Sequence, residues 1–205
     1  LLADDDAEVR AQAARVLVDF PHHAATEQRL VPALADASPR VRMYSALSLG
    51  RCGRGQSIPA LLELLEQNDD RDPTLRHAAV VGLTGIGDAN ALGAALDGDP
   101  PRAVRLGVAL ALRRLKHPTV ARLLTDDDPH IVLSAARAVH DESIDEAMPA
   151  LAAMVDSDLL RTASDVLDPL ARRVVNANYR LGNPAALINL AADQQAAEFA
   201  RTDAL

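Results

Sequence analysis

The sequence predicts an all-α chain built as a stack of about six helical hairpins, a right-handed α-α superhelix. Three observations lead there. Hydrophobic residues fill 49% of the 205 positions, yet aromatics make up 2% and Trp is absent, so the apolar content is mostly Leu, Ala and Val. Small Ala contacts let helix axes approach at the short end of the ~8–10 Å range, whereas a sheet protein would draw on more β-branched and aromatic residues. Apolar positions recur at helical spacing, and one short pattern returns along the chain with a period of roughly 30 residues.

The pattern is a helix start. Asp6-Ala7-Glu8-Val9-Arg10, Ser38-Pro39-Arg40-Val41-Arg42, Asp72-Pro73-Thr74-Leu75-Arg76, Asp128-Pro129-His130-Ile131-Val132 and Asp168-Pro169-Leu170-Ala171-Arg172 superpose, and Asp99 to Arg105 carries two extra residues. Asp or Ser offers a side-chain oxygen to the unpaired N–H groups of a first turn. Pro, next in five of the six, has its φ fixed where the helix needs it and lacks an N–H where none is required. Behind the starts run apolar stripes: Val9, Ala13, Val16 and Leu17; Val41, Ala46, Leu47 and Leu49; Leu75, Ala79, Val80 and Leu83; Val104, Val108, Leu112 and Leu115. Gly50, Gly85 and Gly182 read as exits that use a left-handed residue. First helices are therefore expected over 7–19, 39–50, 73–85, 101–115, 129–140 and 169–182.

Second helices carry Pro32-Ala33-Leu34, Pro59-Ala60-Leu61 and Pro149-Ala150-Leu151, with Pro118 and Pro184 opening two more. Proline fits a first turn and disrupts a helix interior, so these helices are placed near 26–35, 57–67, 118–124, 144–155 and 184–192, with 89–96 completing the set. Intervals from Arg10 to Arg42, Arg76, Arg105, Val132 and Arg172 are 32, 34, 29, 27 and 40 residues. The long last interval reads as an inserted helix over 157–167. No composition shift divides the chain, which is expected to be one repeat domain over 1–205. Leu1 to Asp6 reads as the tail of a helix and 194–205 as a helix without a partner, so both ends are expected to fall inside a repeat array, with apolar surface exposed at Leu1-Leu2 and 196–199.

The Asp-x-x-Val-Arg start, the apolar stripe and the Pro-Ala-Leu second helix resemble the HEAT-like repeats named after phycobilisome lyases. A narrower resemblance rests on Asn68 to Ala78, Ala109 to Leu115 and Asn176 to Gly182. These stretches are similar to a HEAT segment of large secreted bacterial proteins, where it lies between a sugar-dehydrogenase-like propeller and a c-type haem domain. That resemblance implies a periplasmic or secreted setting, with a cytoplasmic one as the alternative, and a spacer role. A single cysteine, Cys52, cannot supply the Cys-x-x-Cys-His that attaches haem.

Charge and motifs narrow the function further. A formal net charge of −8 opposes general binding to nucleic acid or anionic membranes, and no run of 18 apolar residues is present to span a bilayer. His22, His23, His77, His117, His130 and His140 fall in no metal-ligand spacing, so no metal or cofactor is expected. Cys52 reads as a packing residue. The repeated Arg10, Arg42, Arg76, Arg105 and Arg172 lie beside Asp-rich turns and read as a structural ladder, because a buried guanidinium needs charge-assisted partners. Binding is assigned to the second-helix, concave face, with Gln28, Arg29, Glu63, Gln67, Arg122 and Glu146 as candidates. The expectation is a non-catalytic module that binds a protein partner or adjacent domains of the same chain. The alternative is an enzyme or enzyme subunit of the bilin-lyase-like HEAT class.

Overall fold

Proline-started helices set the architecture. The computed structural model describes residues 1–19, 24–161 and 167–205, and among these all regular structure is helical. His22, His23 and most of the C-terminal part of the expected 157–167 helix lie outside the described residues. The chain divides into two compact units, Leu1–Ala111 and Leu112–Leu205. Each is of the α-solenoid type, built from helices that pack on their sequence neighbours.

The first unit contains α1 (Ala7–Val16), α2 (Ala24–Ala33), α3 (Pro39–Cys52), α4 (Ile58–Asn68), α5 (Pro73–Ile86), α6 (Ala89–Ala94) and most of α7 (Arg102–Leu115). Helix α3 packs on both α1 and α5, while α2 lies against α3 and α4 against α5. Leu30, Val41, Leu49, Leu61, Leu65, Leu83 and Leu92 are fully buried. The Asp caps act as their chemistry requires: Asp6 accepts from Glu8 N and Asp72 from Thr74 N and Leu75 N, although Ser38 makes no such bond. The stripe expected on α1 differs from the face it buries. Ala11 and Ala14 pack inward, whereas Val9, Ala13, Val16 and Leu17 line an open groove of about 530 Å³ with Leu1 and Leu2.

The second unit holds the end of α7, a 3-10 segment Pro118–Thr125, α8 (Pro129–Asp141), α9 (Met148–Ala152), α10 (Asp168–Arg180), α11 (Pro184–Ala192) and α12 (Glu198–Asp203). Helix α10 is its centre, touching α8, α9, α11 and α12. Ile131, Leu151, Leu160 and Leu170 form its core. The second helices expected at 118–124 and 144–155 are not continuous α-helices. The former is wound as 3-10, and α9 is a single short turn between 3-10 segments Asp145–Ala147 and Ala153–Asp156. The backbone there closes through i→i+3 bonds, as from Val120 N to His117 O and from Ala147 N to Ile144 O, the tighter winding that short helical pieces adopt. The segment 194–205 is also not the unpartnered helix expected of it: Ala196 and Ala200 are buried, and α12 packs on α10 and α11.

Two glycines expected as helix exits do something else. Gly50 and Gly85 lie within α3 and α5, and the left-handed residue closing α5 is Gly87, with φ +76°. A Cβ placed on Gly85 would sit 2.0 Å from Gly50 O, and one on Gly82 would sit 2.8 Å from Ala46 O. Backbone of α5 therefore touches backbone of α3, and no side chain fits between them. Gly182, with φ +70°, does follow α10 as an exit. Gly85→Ala should lower the urea midpoint clearly, by an overpacking cost of ~1–3 kcal/mol or more. Gly55→Ala, where the nearest atom to the new Cβ is Asp88 Oδ2 at 3.5 Å, should leave it almost unchanged. Equal midpoints for the two variants would contradict the close approach.

Candidate functional site

The repeated arginines meet the turns that join one hairpin to the next. Arg10 grips Asp36, 26 residues on, through Nε at 2.7 Å and Nη2 at 2.9 Å, while Nη1 donates to Asp4 O and Asp5 O. The side chains of the pair are 16% and 13% exposed. Arg42 donates from Nη1 to Asp36 O and Ala37 O. Arg76 pairs with Asp70, whose other oxygen receives Arg102 at 3.3 Å. Arg105 donates to Pro100 O at 3.0 Å and lies 3.6 Å from Asp99. Asp36 is held below the usual carboxylate range chiefly by the Arg10 hydrogen bond, against burial, and Arg10 is raised by the same bond.

Arg172 is placed otherwise. Its side chain is 66% exposed and pairs with Asp168 and Asp203, while the adjacent Arg173 reaches back to Asp141 at 2.8 and 3.0 Å and to Pro169 O at 2.9 Å. Asp168 is the first residue of α10 rather than its cap. Arg172 and Arg173 stand ~100° apart around the helix, and it is Arg173 that faces the preceding repeat.

Three buried polar side chains occupy stripe positions where helical periodicity alone calls for apolar ones. Glu27 on α2 is 6% exposed and accepts from Arg54 N at 2.9 Å, from Gln56 Nε2 at 2.8 Å and from Ser57 Oγ, fastening the link between α3 and α4. Burial pushes its carboxyl pKa up, but the bonds from Ser57, Arg54 and Gln56 together bring it below the ordinary value. Asn68 brackets Asp72, donating to its carbonyl at 3.0 Å and accepting from its N–H at 3.1 Å. Asn178, 1% exposed, donates to Ala152 O at 2.8 Å and Val174 O at 3.0 Å. The available signal was a polar residue in line with Leu30 and Leu34 for Glu27, and with Leu61 and Leu64 for Asn68.

The six candidate binding residues are all exposed. Gln28 and Arg29 stand on α2, and Glu63 and Gln67 on α4, joined by a 2.9 Å bond from Gln67 Nε2. Arg122 and Glu146 belong to 3-10 segments of the second unit. Cys52 is half-buried and donates to Ser48 O at 3.2 Å, with its thiol pKa raised by burial and by Glu27. The His140 ring meets Asp141 and Asn176, at 2.9 and 2.8 Å. Among the described residues no three His, Cys, Asp or Glu side chains converge to hold a metal, and no helix is long and apolar enough to cross a membrane.

Hairpins stacked through such turns define an α-solenoid. Residues 1–84, from the first turn into α5, match the family model for HEAT repeats, so this part of the chain is built of HEAT repeats. No curated protein matches the chain. Among solved structures it is similar to the complex of CpcE and CpcF of phycocyanin lyase from Nostoc sp. PCC7120, at 22% identity over 98% of this chain and 89% of that one, with TM-score 0.47. It is similar also to human deoxyhypusine hydroxylase in complex with glycerol, at 21% identity over 99% and 79%, TM-score 0.44. A third likeness is to an engineered protein, at 21% identity over 100% and 90%, TM-score 0.43.

Two measurements follow from this geometry. Arg76→Ala should lower the urea midpoint several-fold more than Arg71→Ala, because Arg76 and Asp70 are mostly enclosed whereas Arg71 and Asp69 are 76% and 69% exposed at 3.5 Å; exposed pairs contribute only ~0–1 kcal/mol. Equal midpoints would return the repeated arginines to the surface. For Glu27 the folded pKa lies below the ordinary value of about 4.5, so the unfolded chain binds the proton more readily. Its contribution is complete above that pH and is lost as the pH falls through the folded value. Glu27→Gln should therefore be less stable near pH 7 and show a shallower acid limb in thermal melts; an unchanged limb would contradict the assignment.

Proposed function

We propose that the chain is a non-catalytic protein-interaction or spacer module that presents the exposed side chains of its second helices to a partner or to neighbouring domains. One observation carries the reading: Arg10, Arg42 and Arg76 are anchored to turns, whereas Gln28, Arg29, Glu63 and Gln67 project outward from α2 and α4. A rigid scaffold with solvent-facing polar positions of both charges suits recognition of a protein surface. The HEAT-repeat match over residues 1–84 supports this, since extended binding surfaces are what stacked repeats provide. The resemblance of 68–78, 109–115 and 176–182 to the segment between two domains of secreted proteins supports the spacer part of the proposal.

The test is site-specific photo-crosslinking in the full protein within its own cell. A crosslinking residue at Gln28 or Glu63 should give a discrete adduct, and the same residue at Arg51, exposed on α3, should not. Adducts from Arg51 alone, or from no position, would overturn the interaction reading.

A further inference from the structure

The turns of the first unit contain an internal template. Asp36-Ala37-Ser38-Pro39 and Asp70-Arg71-Asp72-Pro73 occupy equivalent places before α3 and α5. In the earlier turn, the carboxylate of Asp36 fills the Nε–Nη2 edge of Arg10 from the preceding repeat. By the same geometry Asp70 would fill that edge of Arg42. It does not. Asp69 and Asp70 both take left-handed backbone, with φ +46° and +58°, and Asp70 turns to Arg76 and Arg102 instead.

Arg42 is left with carbonyl partners alone, both on Nη1, and its Nε and Nη2 meet no acceptor among the described residues. Asp36 lies close enough for the two charges to interact, but its oxygens are taken by Arg10 and by Ser38 N. Arg42 lines a cavity of about 410 Å³ together with Leu64, Gln67, Asn68, Arg71 and Asp72 among others. Asn68 is committed to the backbone of Asp72, and Asp72 to capping α5. Arg71 holds only a 3.5 Å contact to exposed Asp69. The charged donors available to a guest are thus two guanidinium groups.

We infer that this cavity is a carboxylate-binding site, in which Arg42 receives a guest carboxylate through the edge that Arg10 uses for Asp36. The planar fork of Arg matches two carboxylate oxygens, and Arg71 adds a second positive charge at the mouth. The carboxylate comes from an acidic side chain of a partner or from a small organic acid. This deepens and rests on the reading of the chain as a binding module, since Gln67 on the wall belongs to the second-helix face.

The test is a titration of the ¹⁵N-labelled protein, following the Arg42 Nε–Hε resonance at constant ionic strength. Sodium acetate and the blocked peptide acetyl-Gly-Asp-Gly-amide are the probes, with sodium chloride and sodium sulfate as controls. Acetate and the peptide should each give a saturable shift at Arg42. Saturation by the peptide at a tenfold lower concentration would identify an acidic protein segment as the guest, and equal saturation a small carboxylate. Arg42→Lys should weaken binding at least tenfold. Gln67→Glu, which sets a carboxylate on the wall without touching the Arg42 turn, should do the same. No saturable shift with either probe, tighter binding of sulfate than acetate, or undiminished binding in Gln67→Glu would overturn the site. Those failures leave the crosslinking result at Gln28 and Glu63 unaffected, so the two readings are separable.

Discussion

Where one repeat hands over to the next, a helix ends and another begins within a few residues, and the carbonyls of the first and N–H groups of the second crowd the same turn. The arginine that reaches into this turn and the acidic residue beside it satisfy the two needs between them. The guanidinium donates to the outward carbonyls, as Arg10 does to Asp4 and Asp5 and Arg42 to Asp36 and Ala37. The acidic residue it pairs with is itself a turn former: Asp36 Oδ1 accepts from Ser38 N at 2.8 Å, as Asp4 does from Asp6 N and Asp126 from Asp128 N. Removing either member leaves the other half-enclosed without its counter-charge. The turn conformation, the entry direction of the following helix and the contact between repeats then fail together.

A second constraint acts between the turns. Helices α3 and α5 meet backbone to backbone at Gly50, Gly82 and Gly85, a closer approach than Ala would permit. Such a crossing fixes the pitch between two repeats more firmly than interdigitated Leu, which can re-pack. It also limits what can fill the loops around it. The α3–α4 link, which departs from the same end of α3, is held by Glu27 from α2, so a buried carboxylate ties three helices to one short connection. Burying it is tolerable only because three donors meet it.

The alternation of first and second helices was legible because proline and Asp at a helix start are local chemistry, written within five residues. Asp6, Asp72 and Asp128 cap as expected. What failed depended on neighbours distant in sequence. Nothing local distinguishes Gly85, which faces another backbone, from Gly87, which adopts a positive φ. Arg172 and Arg173 stand ~100° apart on α10, and only the place of Asp141 in the preceding repeat decides which of them pairs across the junction. The α1 stripe misled because both its faces carry small apolar residues, and only the packing of α3 decides between Ala11 and Ala13. Among the candidate binding residues, exposure of Gln28, Arg29, Glu63 and Gln67 followed from helical phase, whereas the cavity beside Arg42 required knowing which way Asp70 turns.

That last point has a general physical basis. In a stacked array each repeat touches its neighbours alone, so a change in one turn alters one junction and leaves the others intact. Asp36 and Asp70 hold equivalent places, yet one pairs backward to Arg10 and the other with Arg76 and forward to Arg102. The left-handed residues Asp69 and Asp70 carry a local conformational cost, which the ion pairs to Arg76 and Arg102 offset. The result is an arginine held in place by two carbonyls but deprived of the carboxylate its neighbour enjoys. A ladder whose rungs serve stability can therefore present one rung to a guest, because the fold requires only that the carbonyls be met, and the remaining edge of the guanidinium is left for recognition.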